Sequence, residues 1–482
     1  MHPLLKIKQK KDVFLIILGR LLTVFASFVL IRLGTEVLTP DEMGGVTQLL
    51  GLAGMIYLLF FLPLWQYFTR HFLEWNASKT LFIYIKYLVR YLIFAVIVVG
   101  LLVYLLQDMF NIIQNIETFW VVLLVMMNFL FQALSKITTD GLNILGYRLK
   151  FVILSNLIAW LSVALAYYFY KQYETVSSWV LGIFLSYVLV SSTLVLLLKN
   201  IADGRRHINL SEVIRINYES VLNLSVPIIF MTFFWWVSSQ GYKFIIQDLS
   251  IVGLFAIGYS LAAAPIALFE SIFSQYYDPI FFKNLKRSNK KEQVKAWNKY
   301  AKLYLPAVIV MGIFVASNAF YLTQLLVGED FRESAGKVIV WGVAIEIVRS
   351  IIGVSYQVGI AKVDMKFIFM PYLMGAIISL VAVYYFDKLD GLDGLSGISL
   401  GMLMGVLVSA VMAYNKSIKE LPIEWPFSAI GKAMILSIPM IIFSYFEIGV
   451  ENSNFLFNVI NLTVSTVFLL FIQWYLFIKA EL

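Results

Sequence analysis

Three arginines lie inside long apolar stretches of this sequence, at Arg20, Arg32 and Arg349. A charged side chain at the centre of a bilayer costs roughly 2.5–3.5 kcal/mol on insertion scales, so such residues usually face a protein interior or a wet cavity. Guanidinium groups bind phosphate in a bidentate manner. The three arginines therefore predict an intramembrane site for an anionic ligand.

Polar residues accompany the first two arginines at helical spacing. Arg20 shares a helix face with Thr23 and Ser27, which lie three and seven residues later. Arg32 has Glu36 four residues later, where the two side chains can pair. Each arginine therefore has two open interpretations. Arg20 either lines a cavity or extends to the membrane surface, and Arg32 either binds ligand or only pairs with Glu36.

The clearest polar stripe lies around the third arginine. Glu346, Arg349, Ser350, Gly353 and Gln357 are spaced so that one side of a helix carries them all. One interpretation is an internal Glu346–Arg349 ion pair that fixes packing. The other is a cavity wall on which a carboxylate holds the cation in place.

Glu270 is a further acidic residue in an apolar stretch, with Ser274 four residues later. A buried carboxylate can carry a proton or bind Na⁺, and it can also pair with an arginine. The sequence has no cysteine and three widely separated histidines, so we expect no metal centre and no cofactor. It also has no P-loop. We therefore do not expect an enzyme.

The composition defines the elements that must position these residues. The chain is 61% hydrophobic with a mean hydropathy of +0.84, against about 45–50% for soluble proteins. Stretches such as 91-YLIFAVIVVGLLVYLL-106 are apolar on every face, whereas barrel strands alternate. We predict an all-α membrane protein with about 14 transmembrane helices, in two six-helix lobes plus a C-terminal helix pair.

The distribution of charge gives the orientation and the domains. With the N-terminus inside, most of the 37 Lys and Arg residues fall in cytoplasmic loops, which explains the +8 charge without nucleic acid. Both termini are then cytoplasmic. We predict an N-terminal lobe at 1–200, an amphipathic cytoplasmic linker at 201–220, a second lobe at 221–417 and two additional transmembrane helices at 418–482. The cationic segment 281–302 should meet anionic lipid.

Three segments carry a family resemblance. They are 32-RLGTEVLTPDEMGGVTQLLGLAG-54, 253-GLFAIGYSLAAAPIALFESIFSQYYDPI-280, and 325-LLVGEDFRESAGKVIVWG-342 with 352-IGVSYQVGIAKVDMK-366. Together they resemble the polysaccharide-transporter branch, the O-antigen and exopolysaccharide flippases, of the multidrug/oligosaccharidyl-lipid/polysaccharide flippase superfamily. The resemblance covers nearly the whole chain.

The resemblance implies a function. Members of this branch move undecaprenyl-diphosphate-linked oligosaccharides across the bacterial inner membrane by alternating access, for O-antigen, capsule or exopolysaccharide assembly. Their cavities are cationic, so Arg20, Arg32 and Arg349 are candidate substrate-binding residues. The family often has an Asp-Arg pair near the end of helix seven. Here Lys243 keeps the cation and the acid is missing. The candidates for the cavity or for ion coupling are Glu36, Glu270, Glu346 and Gln357.

The expected partners are the lipid-linked substrate and membrane lipids, with a polysaccharide polymerase and chain-length proteins as candidates. We expect a monomer that binds no nucleic acid. Three alternatives stay open. A cation-coupled multidrug antiporter of the same superfamily would favour acidic cavity residues. A flippase for a peptidoglycan lipid precursor would share the diphosphate. A membrane-bound glycosyltransferase or polymerase would transfer sugar itself.

Overall fold

The computed structural model describes residues 3–193, 218–285, 290–362, 369–389, 391–447 and 455–481. Every regular element in these ranges is a helix. Thirteen helices are long and apolar enough to cross a membrane, and Val176–Ser191 is a shorter apolar helix. Together they number fourteen within these ranges, in agreement with the predicted number of about 14, which confirms the predicted fold class. The chain is a multi-pass membrane protein.

The helices are numbered here in chain order. The first eight are α1 (Pro3–Val37), α2 (Pro40–Phe60), α3 (Leu62–Ala77), α4 (Leu81–Phe110), α5 (Thr118–Ile144), α6 (Arg148–Tyr173), α7 (Val176–Ser191) and α8 (Tyr218–Gln240). The other nine are α9 (Tyr242–Ile245), α10 (Leu249–Leu285), α11 (Lys290–Ser317), α12 (Ala319–Leu326), α13 (Glu329–Lys362), α14 (Phe369–Phe386), α15 (Gly394–Glu420), α16 (Phe427–Glu447) and α17 (Phe455–Glu481).

The chain divides into two compact units. The N-terminal unit comprises Met1–Leu30 and Gly45–Phe233, and the C-terminal unit comprises Ile31–Gly44 and Phe234–Leu482. The end of α1 and the start of α2 therefore belong to the C-terminal unit. The domain boundaries expected from the sequence stay predictions, and residues 201–217 of the expected linker lie outside the described residues.

Small residues allow close helix packing in the N-terminal unit. A Cβ added at Gly182 of α7 would lie 2.5 Å from the Cα of Ala166 on α6, so the two backbones meet directly. The Ser162 and Ser186 hydroxyls share a hydrogen bond of 2.8 Å across the same pair. Helices in a membrane associate through such small residues and interhelical hydrogen bonds. This packing supports the helices that surround Arg20.

A longer stripe of small residues joins α14 and α15 in the C-terminal unit. Gly397, Gly401, Gly405 and Ser409 recur every four residues along α15, and so share one face. A Cβ added at Gly405 would lie 2.5 Å from the carbonyl oxygen of Gly375 on α14. The stripe therefore packs backbone against backbone, as small-xxx-small patterns do in membrane helices.

A capping box starts α2 within the signature segment quoted above. The Thr39 backbone N–H donates to the Glu42 carboxylate at 2.9 Å, and the Glu42 N–H donates to the Thr39 hydroxyl at 3.3 Å. Pro40 occupies the first helical position, where its missing N–H costs nothing. Gly44 then packs against the Leu249 carbonyl at the start of α10. The 39-TPDE-42 pattern is thus explained by helix capping, and Gly44 by a close helix approach.

Candidate functional site

An ion-pair network lies in the C-terminal unit between α10 and α13. Arg349 donates from Nη1 to the Glu346 carboxylate and to the Tyr259 hydroxyl, and that hydroxyl donates to the same carboxylate. The Arg349 and Glu346 side chains are only 14% and 13% exposed. The charge of Arg349 is therefore balanced within its own helix, although its Nη2 is buried and has no partner in the described structure.

A second carboxylate, Glu270 on α10, lies beside this network. It accepts a hydrogen bond from the Tyr304 hydroxyl of α11. The Ser350 hydroxyl lies 3.1 Å from the same carboxylate oxygen and 3.0 Å from the Glu346 carbonyl. The contacts that hold Glu270 come from neutral hydroxyls, so its charge lacks the direct balance that Arg349 gives Glu346.

Both groups line a cavity of about 450 Å³. Gln357 also lines it, and its Oε1 is buried without a partner among the described atoms. The charged side chains of its wall are one arginine, Arg349, and two glutamates, Glu270 and Glu346. The aromatic side chains are Trp235, Tyr259, Tyr300, Tyr304, Tyr356 and Tyr372. This cavity favours a cation or a proton over an anion.

Arg20 lines a different cavity, of about 540 Å³, in the N-terminal unit. The described residues place no carboxylate oxygen within 4.0 Å of its guanidinium, and its Nε is buried without a partner. Its Cζ lies 5.8 Å from the centroid of the Phe151 ring, within cation–π range. The polar residues of the wall are Thr23, Ser27, Tyr57, Gln132, Ser135, Lys136, Thr139, Ser155, Ser162 and Tyr187.

The backbone under Arg20 is fixed by a contact between α1 and α6. The Asn156 amide donates to the Gly19 carbonyl at 3.2 Å, and the Thr23 hydroxyl donates to the same carbonyl at 2.9 Å. Gly19 also approaches Val152 so closely that an added Cβ would lie 2.7 Å from it. These contacts hold the α1 face that carries Arg20 toward the cavity.

A second cation, Lys136 on α5, lines the same cavity. Its Nζ lies 3.2 Å from the Asp140 carboxylate, four residues later, and the Trp65 indole donates to that carboxylate at 3.0 Å. The charged residues of the cavity wall itself are Arg20 and Lys136. Because Lys136 is paired with Asp140, Arg20 supplies the unbalanced positive charge among the described residues of this wall, so the cavity favours an anion, in contrast to the cavity around Arg349.

Arg32 and Glu36 lie apart from both cavities. Arg32 pairs with Glu36 at 2.5 Å and donates to the Val327 carbonyl at the end of α12. The adjacent Thr35 hydroxyl accepts a hydrogen bond of 2.8 Å from the Gly328 N–H. These contacts attach the end of α1 to the α12–α13 connection. They give Arg32 a packing role in the C-terminal unit.

Lys243 also lines neither cavity. It is buried in α9, a four-residue helix between two spans, with its Nζ 5.9 Å from the Tyr242 ring centroid. Burial lowers the pKa of Lys243 to about 7, because a desolvated ammonium loses favourable hydration. The predicted contact of Lys243 with substrate stays a prediction.

The eight residues expected from the sequence thus lie in four places. Glu270, Glu346, Arg349 and Gln357 line one cavity, Arg20 lines another, Arg32 and Glu36 pair elsewhere, and Lys243 is separate. The sequence reasoning missed Tyr259 and Tyr304, since nothing marks two tyrosines among 27. It also missed Lys136 and Asp140, although their spacing of four residues was a usable signal.

Within the described residues, no group of three or more His, Cys, Asp or Glu side chains could hold a metal ion. The charged groups in both cavities are instead single cations, single carboxylates or close pairs. Such groups can bind an ionic ligand, take up a proton or bind a monovalent cation. They define candidate sites for moving a charged solute.

The fold is similar to that of solved transporters. A structure entitled "Lipid II flippase MurJ, inward closed conformation" matches with a TM-score of 0.66 and 11% identity, over 98% of this chain and 99% of the other. An inward-facing multidrug resistance MATE family transporter of the MOP superfamily matches with a TM-score of 0.58 and 13% identity, over 86% and 96%. An outward-facing MATE family transporter of the same superfamily matches with a TM-score of 0.53 and 12% identity, over 88% of this chain and 97% of the other.

These similarities show the fold that the chain shares with transporters of the MOP superfamily. No protein-family model matches the sequence, and a search of curated proteins gives no match. The fold includes both lipid flippases and multidrug transporters.

Proposed function

We propose that this chain is a flippase that moves an undecaprenyl-diphosphate-linked oligosaccharide across the bacterial inner membrane by alternating access. The pathway it serves is the assembly of O-antigen, capsule or exopolysaccharide. The multi-pass fold supports the proposal, because it is shared with a protein described as a lipid II flippase. The proposed topology keeps both termini in the cytoplasm.

The observation that carries the proposal is the set of groups around the Arg20 guanidinium. Its guanidinium has no carboxylate partner among the described residues and faces a polar cavity with Lys136. A diphosphate carries about two or more negative charges, which a guanidinium can bind through paired N–H donors. The hydroxyls and amides of the same wall can bond to sugar hydroxyls. Arg20 is therefore the proposed anchor for the diphosphate.

Glu270 is the proposed ion-coupling residue. Glu346 is committed to Arg349, whereas the contacts to Glu270 come from the Tyr304 and Ser350 hydroxyls. A hydroxyl can remain in place whether the carboxylate is charged or protonated. Glu270 can therefore exchange a proton or Na⁺ without breaking the ion pair beside it.

Arg349, Gln357, Glu36 and Lys243 keep the roles predicted for them as secondary proposals, whereas the contacts of Arg32 with Glu36 and the Val327 carbonyl favour packing over the predicted substrate contact. Arg349 and Gln357 have the better geometry, since each has one buried polar atom at the cavity wall for which the described part of the chain supplies no partner. The polymerase and chain-length proteins of the pathway are the proposed protein partners, and the chain itself is proposed to act as a monomer.

Charge reversal at Arg20 tests the proposal. Arg20→Glu should abolish surface polysaccharide in a host that depends on this chain, while the protein still inserts. Arg90→Glu is the matched control, because Arg90 is exposed, contacts the Tyr87 ring at 6.0 Å and lines neither cavity. Normal polysaccharide from the Arg20 variant at equal protein level would refute the assignment.

A second candidate function is a cation-coupled multidrug antiporter. The observation that favours it is the C-terminal cavity, where two carboxylates and six aromatic rings surround one arginine. Aromatic faces and carboxylates attract organic cations. Overexpression that lowers ethidium accumulation, with no polysaccharide defect on deletion, would favour this function. A peptidoglycan-precursor flippase would instead move lipid II and leave the polysaccharide normal.

A further inference from the structure

A third cavity, of about 630 Å³, lies within the C-terminal unit between α11, α16 and α17. We call it the lysine pocket, because Lys302 of α11 and Lys432 of α16 both line it. It shares no lining residue with the two polar cavities described above. Its function is therefore a separate question from the transport substrate.

A row of lysines leads along α11 into this pocket. Lys291, Lys295, Lys299 and Lys302 follow at intervals of four, four and three residues, which place them on one helix face. All four side chains are exposed, whereas Trp297 on the opposite face is buried. None of the four has a carboxylate oxygen within 4.0 Å in the described part of the chain. Their charge is available to a ligand.

The pocket also contains a hydrogen-bond donor without an acceptor among the described residues. The Trp425 indole N–H is buried and has no partner among the described atoms. Its ring is held by Trp297 and Tyr414, with centroids 5.4 and 5.0 Å away. Trp425 lies two residues before the start of α16. The pocket wall thus combines two lysines with the indole donor.

The rest of the pocket wall is apolar. Leu303 and Pro306 come from α11, Ile435 and Leu436 from α16, and Leu476 from α17. The Ile435 side chain is 66% exposed on a helix that is apolar enough to span the membrane. A ligand that fits must therefore combine an anionic head with a hydrocarbon chain.

We propose that the lysine pocket binds an anionic phospholipid of the surrounding membrane. Its phosphate would contact Lys302 and Lys432 and accept a bond from the Trp425 indole, while an acyl chain follows the apolar wall. Lysine binds phosphate as a point charge, and juxtamembrane lysines attract anionic lipid. The proposal is independent of the proposed flippase function, since neither polar cavity contributes a residue.

Binding of the full-length protein in detergent to phosphatidylglycerol, with phosphatidylcholine as comparison, tests the proposal by native mass spectrometry. The Lys302→Gln/Lys432→Gln variant should bind phosphatidylglycerol roughly 30-fold more weakly, since each lysine near anionic lipid contributes about fivefold. The Lys291→Gln/Lys295→Gln variant removes the same charge from the same helix outside the pocket. It should lose less than fivefold. Trp425→Phe keeps an aromatic ring at this position but removes the indole N–H, so it should weaken binding severalfold.

The outcomes of this experiment distinguish a phospholipid headgroup from inorganic phosphate and from undecaprenyl diphosphate. Equal binding of phosphatidylcholine and phosphatidylglycerol, or equal losses in both double variants, would overturn the proposal. Displacement of the lipid by millimolar inorganic phosphate would show a simple anion site and would also overturn it. Preferential displacement by undecaprenyl diphosphate would assign the pocket to that lipid instead. A normal elution profile of each variant shows that it is folded.

Discussion

Glu346→Gln is the perturbation with the most definite expected magnitude. It leaves Arg349 charged and only 14% exposed, with neutral acceptors, the amide oxygen of the substituted side chain and the Tyr259 hydroxyl, in place of its carboxylate partner. Removing one partner of a buried ion pair costs about 3–5 kcal/mol. We expect the lower end, about 3 kcal/mol, because both side chains keep some exposure. Arg349→Gln should cost a similar amount, since it leaves Glu346 without its cation.

The double variant Glu346→Gln/Arg349→Gln distinguishes an ion pair from two independent side chains. It removes both charges, so it should be less destabilised than either single variant. Independent residues would instead give the sum, about 6 kcal/mol. The assay is denaturant unfolding in micelles, followed by helical circular dichroism. The control Glu333→Gln breaks an exposed pair with Lys337 on the same helix and should cause no measurable change. An additive double variant would refute the pairing.

Three further predictions concern other parts of the molecule. Glu270→Gln keeps the neighbouring hydroxyl contacts and should make transport in proteoliposomes insensitive to an imposed proton or Na⁺ gradient; retained gradient dependence would contradict the coupling role. Gly405→Ala should destabilise the chain by about 1–3 kcal/mol through overpacking, whereas Gly431→Ala, where the added Cβ meets nothing within 4 Å, should not, as thermal unfolding would show. Arg32→Gln should lower thermal stability yet leave substrate transport near normal; loss of transport at full stability would contradict its packing role.

The spanning helices could be predicted from the sequence because each span is a local property. About 20 apolar residues suffice to define a spanning helix, and the stripe from Glu346 to Gln357 follows from helical periodicity alone. The structure places that stripe on the wall of one cavity. Local sequence patterns thus predict both the spanning helices and the polar face of α13 that lines the cavity.

The relative importance of the arginines could not be predicted in this way, because it depends on contacts between helices. The polar stripe favours Arg349 as the anion site, but Glu346 and the distant Tyr259 accept hydrogen bonds from its Nη1, and Glu346 balances its charge. Arg20 stands in a weaker stripe and yet lacks a described carboxylate partner. Lys136, which shares its cavity, belongs to another helix. Charge balance in a membrane interior is a tertiary property.

Translocation by the purified chain is the most direct test of the central claim. A fluorescent undecaprenyl-diphosphate oligosaccharide would be placed in one leaflet of proteoliposomes, and its appearance in the other leaflet would be followed by quenching. We expect the wild-type chain to accelerate this movement well above protein-free vesicles, and Arg20→Gln to remove most of the acceleration. An unchanged rate with wild-type protein, in vesicles that do transport ethidium, would contradict the proposal.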